Sequence, residues 1–183
     1  MTEARPVAQA LAGAQPAFEQ IVRRYQRPVI NLIARIVADP GLAEDLAQET
    51  FVKTFRNLAA FDTRRRLSSW IFRIAHHTAV DALRRRRGRQ VPLDEAGADP
   101  ALRLPPAADP VERESLGRAL ESALRELRSE QRVAIGLRYE EGLSYEEIAH
   151  VMGIPEATAR THVHRGRKQL ARRLSDAGWE PSR

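Results

Sequence analysis

The chain has 183 residues, no cysteine and a formal net charge of +6. Its length admits one large domain or two small ones, the missing thiols exclude a disulfide framework and any thiolate metal site, and no apolar run is long enough to span a bilayer. The positive charge is carried almost wholly by arginine, whose planar fork suits phosphate and guanine, so a polyanionic partner is indicated.

Residues 1–15 are Ala-rich, with an acid near the start and only a weak apolar stretch. They read as a frayed N-terminus rather than a signal peptide, and a cytoplasmic protein with no membrane insertion is the simplest fit. From Ala17, Phe18, Ile21, Val22, Tyr25, Val29, Leu32, Ile33 and Ile36 follow a 3.6-residue period, which predicts an amphipathic helix kinked or divided at Pro28. Asp39-Pro40 predicts a stop and a restart, with Asp39 as N-cap and Pro40 at the first helical position. The next helix runs to about Leu58 on Leu42, Leu46, Phe51, Val52, Phe55 and Leu58. Asp45, Gln48, Glu49 and Val52 share one side of it. On spacing alone this is a solvated face with a Glu49–Lys53 pair.

Phe61 to Leu67 is a loop with Asp62, Thr63 and three consecutive arginines, Arg64, Arg65 and Arg66. Ser68 or Ser69 is the predicted cap of a third helix, which carries Trp70, Ile71, Phe72, Ile74, Ala75, Val80 and Leu83 and ends in Arg84 to Arg87. Basic residues suit a helix C-terminus, but four in a row exceed that need and imply a stripe that tracks phosphates. Trp70 reads either as core or as a base-stacking wedge. Residues 91–110 hold five of the eleven prolines and no period, and read as a linker. Leu116, Leu120, Leu124 and Leu127 restore helical spacing; Ser129 starts a further helix with Val133, Ile135 and Leu137, and Gly142 closes it. No segment alternates like a strand, so the fold should be all-α, in two small helical domains joined by a Pro-rich linker.

The stretch Leu143–Leu174 carries the sharpest signal. Ser144-x-x-Glu147 is a capping box before Ile148, Ala149, Val151 and Met152. Gly153-Ile154-Pro155 breaks that helix and starts another, which runs from about Pro155 into Arg172-Arg173. Ala159, Val163, Gly166 and Leu170 should face the core, leaving Arg160, Thr161, His164, Arg165 and Lys168 outside. A short helix, a tight turn and a second helix with a basic outer face make a helix-turn-helix, whose second helix enters the major groove. Arg160 can fork onto guanine, Thr161 offers a hydroxyl or a methyl, and Thr158 lies where backbone N–H groups hold phosphate. The alternative is a solvated basic face on an ordinary helical hairpin.

Charge is unevenly placed. Lys plus Arg against Asp plus Glu stands at 15 to 7 over residues 16–90, 1 to 4 over 91–110, 6 to 10 over 111–156 and 7 to 2 over 157–183. Two basic surfaces with an acidic connector suggest two grips on nucleic acid. A stand-alone helix-turn-helix repressor or activator is one rival, with residues 16–90 as a sensing or dimerising domain, but such a domain should not end in a run of arginine. A metal-dependent nuclease is a remoter one. His162 and His164 are two apart on a helix and point away from each other, and no His-Glu-x-x-His motif accompanies them. Neither a catalytic residue nor a metal or cofactor is expected.

These motifs, in this order, resemble an extracytoplasmic-function (group 4) sigma factor of the sigma-70 family. Gly41 to Phe51, GLAEDLAQETF, looks like region 2.2. Leu67 to Ala75, LSSWIFRIA, and Val80 to Arg85, VDALRR, look like the −10-reading helix. Leu143 to Ala149, LSYEEIA, and Thr158 to Thr161, TART, look like region 4.2. The resemblance implies sigma region 2 over residues 16–90, region 4 over 111–175 and a tail over 176–183. It implies that Asp45, Gln48, Glu49 and Val52 dock on the β′ coiled coil of core RNA polymerase. It also implies that Asp62, Thr63, Arg64, Arg65, Arg66, Ser69, Arg73, Arg84 and Arg85 meet −10 DNA, with a flipped base received by the loop. Thr158, Arg160, Thr161, His164, Arg165 and Lys168 would then face −35 DNA, the β flap would bind apolar residues near Leu127–Leu137, and an anti-sigma factor is an expected partner. His77, Ala157, His162, His164 and Gly166 depart from the family's commoner residues.

Overall fold

A computed structural model describes residues 9–10, 14–87 and 110–179. Most of the expected N-terminal stretch and residues 91–109 of the expected linker lie outside them. Among the described residues the secondary structure is helical with no strand, in agreement with the all-α expectation. The helices α1 (Gln15–Val37), α2 (Pro40–Asn57) and α3 (Leu67–Arg87), with a 3-10 turn at Leu58–Ala60, build one compact unit. The helices α4 (Pro110–Arg125), α5 (Ser129–Tyr139), α7 (Glu156–Asp176) and most of α6 (Tyr145–Met152) build a second.

In the first unit the three helices pack pairwise. Ile21, Tyr25, Val29, Leu32 and Ile33 of α1, Leu46 and Phe51 of α2 and Ile71, Phe72 and Ala75 of α3 are all buried where these helices pack. Each large side chain so buried contributes about 1.5–3 kcal/mol. Tyr25 and Phe72 stand edge to face, 6.1 Å apart. Of the two outcomes expected at Pro28, division does not occur: α1 is one continuous helix through it. Proline costs the helix one hydrogen bond and some crowding, about 3 kcal/mol. Tyr25 and Val29, buried on either side of it, hold both halves to the core and offset that cost.

Asp39 caps α2 as predicted: its Oδ1 accepts from the Leu42 N–H at 3.0 Å, and Pro40 opens the helix. The Asp39 Oδ2 also accepts from Arg86 of α3 at 3.2 Å. The predicted cap of α3 is wrong. The helix begins at Leu67, where the Arg66 carbonyl accepts from the Trp70 N–H, and Ser68 and Ser69 are buried in the first turn. Leu67, itself buried, anchors the helix start in the core and carries both serines past the cap position.

In the second unit α7 packs on α4 and α5. Leu120, Ala123, Leu124, Leu127, Ile135 and Leu170 form a core cluster, with Leu174 against it. Ser144 and Glu147 make the reciprocal capping box, Ser144 N–H to Glu147 Oε2 at 2.7 Å and Glu147 N–H to Ser144 Oγ at 3.1 Å. Gly153 has φ +67°, a conformation costly for other residues, and lets the Ile154 N–H reach the Ala149 carbonyl at 3.1 Å. Pro155 sits at the N-cap of α7 rather than inside its first turn. The C-terminus of α7 extends to Asp176, and the Trp179 N–H closes it on the Leu174 carbonyl at 2.8 Å, so the predicted tail begins by capping the helix.

Candidate functional site

The α2 face predicted for docking is an exposed one. Asp45 and Gln48 are exposed, Glu49 is half-buried, and Val52 is 48 % exposed although apolar. Ala43, Leu46, Ala47, Thr50 and Phe51 occupy the opposite, buried side. Glu49 pairs with Lys53 at 2.7 Å, as spacing suggested, and Lys53 is itself tied to Thr78 of α3 at 3.1 Å. Beside this face, α1 and α2 leave an open groove of ≈ 430 Å³ lined by Val22, Gln26, Ile30, Glu44, Ala47, Gln48 and Phe51. Phe55, one of the apolar positions of α2, is 57 % exposed and stands edge to face with Phe18 at 4.9 Å. Sequence reasoning missed this groove because helical period separates inside from outside but does not show where two helices part. The available signal was an α2 apolar stripe wider than one helix–helix contact requires.

The Asp62–Arg66 loop is a built turn. The Asp62 carboxylate accepts from the Arg64 backbone N–H at 3.1 Å and from both Nε and Nη2 of its guanidinium at 2.9 and 3.0 Å. The Arg65 N–H closes on the Asp62 carbonyl. The Arg64 guanidinium holds the Asp62 carboxyl below its ordinary range. Thr63, Arg64, Arg65 and Arg66 are exposed, and Arg73 is half-buried on α3. Ser69 is 4 % exposed, covered in the first turn of α3. Trp70 is half-buried against Phe61, ring centroids 5.1 Å apart. The expected stripe from Arg84 to Arg87 divides, because successive helical residues point about 100° apart. Arg84 and Arg85 face outward, while Arg86 turns back to Asp39. Arg87's side chain lies outside the described atoms.

On α7, Ala159, Val163, Gly166 and Leu170 are buried, and Arg160, Thr161, His164, Arg165 and Lys168 form the exposed side, with Thr158 half-buried near its start. Gly166 marks a close approach: a Cβ there would stand 3.0 Å from Ile135 Cγ1 and 3.4 Å from Gln131 Cβ. That close approach seats the basic helix on α5. The Thr161 hydroxyl donates back to the Ala157 carbonyl at 2.8 Å, which leaves its methyl for contact. Arg160 donates to Glu156 at 2.9 Å and lies over the Tyr145 ring, 4.6 Å from its centroid. Further along, Arg165, Lys168, Gln169, Arg172, Arg173 and Asp176 line a shallow basic concavity. The apolar stretch near Leu127–Leu137 is spent internally: Leu127, Val133, Ile135 and Leu137 are all buried, and Tyr139 is the exposed apolar side chain at its end. Among the described residues no three His, Asp or Glu side chains converge as metal ligands would, and no helix is long and apolar enough to cross a membrane.

The family model for Sigma-70 region 2 matches residues 21–89, and that for Sigma-70 region 4 matches residues 117–170. RNA polymerase sigma factor CarQ of Myxococcus xanthus is 37% identical over 172 residues, which cover 93% of this chain and 97% of the relative. The ECF RNA polymerase sigma factor SigW of Bacillus subtilis is 31% identical over 182 residues, 93% of this chain and 95% of that protein. The structure of CnrH in complex with the cytosolic domain of CnrY is similar with a TM-score of 0.65 and 28% identity, over 97% of this chain and 99% of that one. The sigma factor RpoE of Bartonella quintana, in complex with the anti-sigma factor NepR, has a TM-score of 0.65 and 26% identity, over 86% of this chain and 96% of that one.

Proposed function

The chain belongs to the sigma-70 family, in its extracytoplasmic-function branch, and from that premise we propose how its surfaces divide the work of transcription initiation. It is a sigma factor that binds core RNA polymerase and directs it to promoters by recognising −35 and −10 elements. The observation that carries the residue assignments is the separation of faces on α2 and α7: each helix seats one side in its core and presents a chemically distinct side outward.

The β′ coiled coil docks on Asp45, Gln48, Glu49 and Val52, with the adjoining α1–α2 groove receiving apolar side chains. The Asp62–Arg66 turn, with Arg73, Arg84 and Arg85, holds the opened −10 strand. There the chemistry is electrostatic capture of backbone with a pocket for an unstacked base. Arg160 reads a base edge of the −35 element, Thr161 and His164 flank it, and Arg165 and Lys168 hold phosphates. The β flap docks on an exposed part of the second unit. An anti-sigma factor, such as the one bound to the Bartonella relative, occupies these surfaces when the protein is held inactive. The protein works in the cytoplasm beside the polymerase, and its own side chains position nucleic acid without catalysing a reaction.

Retention of core polymerase by the immobilised full chain tests the docking face. Asp45→Ala with Gln48→Ala should reduce retention at least tenfold while leaving the melting temperature unchanged. Equal retention by the double variant would move the docking site elsewhere.

A further inference from the structure

We propose that Tyr145 is a positioning residue for promoter reading: its ring, shared by Arg138 and Arg160, pre-orients the Arg160 guanidinium before DNA is met. The proposal rests on the reading of Arg160 as a −35 base contact. Tyr145 opens α6, Arg138 ends α5 and Arg160 lies in the second turn of α7, so the group draws one residue from each of three helices. The Arg138 guanidinium carbon lies 4.9 Å from the ring centroid and that of Arg160 4.6 Å. Arg138 is fixed independently by its Nη1 donating to the Leu143 carbonyl at 2.8 Å. Tyr145 is fixed by the capping box at Ser144 and Glu147 on either side of it.

The geometry leaves Arg160 ready for bidentate work. A guanidinium stacks through its face and donates through its edge, and it carries five N–H groups. The guanidinium carbon lies over the ring and one Nη2 hydrogen goes to Glu156 at 2.9 Å, so two contacts hold the fork and four N–H groups remain for a base. An arginine on a free surface would have to give up its rotamer freedom on binding. Here that ordering is done in the folded protein, which lowers the cost of the contact and narrows the base it accepts.

Tyr145 had no visible role in the sequence beyond its place in the capping box, because residues 138, 145 and 160 have no common helical spacing. Only the packing of α5, α6 and α7 brings them together.

The test uses the full chain assembled with core polymerase and a promoter pool randomised across the −35 element, with bound sequences counted. Wild type is compared with Arg160→Ala, Tyr145→Phe, Tyr145→Leu and the Tyr145→Leu/Arg160→Ala double variant, each checked for unchanged melting. Tyr145→Leu should relax preference about 2- to 5-fold, the range a surface cation–π contact supplies, at the same base pair that Arg160→Ala relaxes. Tyr145→Phe, which keeps the ring, should retain the wild-type preference, and the double variant should be no more relaxed than Arg160→Ala alone. If Tyr145→Leu weakens all sequences equally, relaxes a different base pair, or is matched by Tyr145→Phe, the positioning role is overturned while the Arg160 reading stands. If Arg160→Ala relaxes no base pair, the reading itself fails and the proposal with it.

Discussion

Arg160 and Lys168 share the exposed side of α7 yet should fail differently when removed. Arg160→Ala should cost about 1–3 kcal/mol at a single −35 base pair, because a lost base-edge contact is felt only where that base stands. Lys168→Ala should weaken holoenzyme binding to all sequences alike and reduce the salt slope by about one, since a phosphate contact carries no sequence information. Binding isotherms on single-substitution promoters at several salt concentrations separate the two. Among the described residues, His76, Asp39 and the Arg64-paired Asp62 contribute to the response to acid. Burial, with help from His77, lowers the His76 pKa from 6.5 to about 4. Between those values the unfolded chain takes up a proton that the folded chain refuses, so stability present above pH 6.5 is lost as the pH falls towards 4. Asp39 is held below its ordinary 3.8 by the Leu42 N–H first and then by Arg86, with burial opposing. Its contribution is present above that value and is lost at lower pH. Urea midpoints measured from pH 7 to 3 should therefore fall in two stages, and His76→Gln should flatten the upper stage alone.

At the scale of the helix, stability is set by caps and by one close approach. Ser144→Ala removes the hydroxyl that accepts the Glu147 N–H and should cost about 1 kcal/mol in thermal or urea unfolding. Gly166→Val should cost more, because its Cβ would sit 3.0 Å from Ile135 Cγ1 and the branched groups beyond would force α7 off α5. Gly166→Ala should gain nothing, despite a helix-propensity benefit of about 1 kcal/mol, since the same contact cancels it. These elements also show how far sequence carries. Asp39-Pro40, the Ser144–Glu147 box and Gly153 were legible because each signal and its partner lie within a few residues. Ser69 as a cap and Arg86 as part of a stripe were misread because their outcomes depend on distant packing: Leu67 anchoring α3, and Asp39 across the first unit. The α2 face was legible as a face but not as a groove, and the docking role proposed for its polar residues rests on resemblance, not on spacing.

For the whole molecule, the proposed assignments divide both the DNA grip and the polymerase grip between the two units. Substitutions in the Asp62–Arg66 turn should slow strand opening and leave −35 selection intact; those on α7 should do the reverse. Permanganate reactivity of the opened strand, set beside promoter selection, reports the two steps separately. The most direct test is run-off transcription by core RNA polymerase on fragmented genomic DNA, with and without the full chain. A sigma factor yields new transcripts whose start sites lie about one helical turn downstream of a shared sequence element. No new transcript, with tight specific binding of promoter-free DNA fragments by the chain alone, would contradict a sigma role and favour a stand-alone helix-turn-helix regulator.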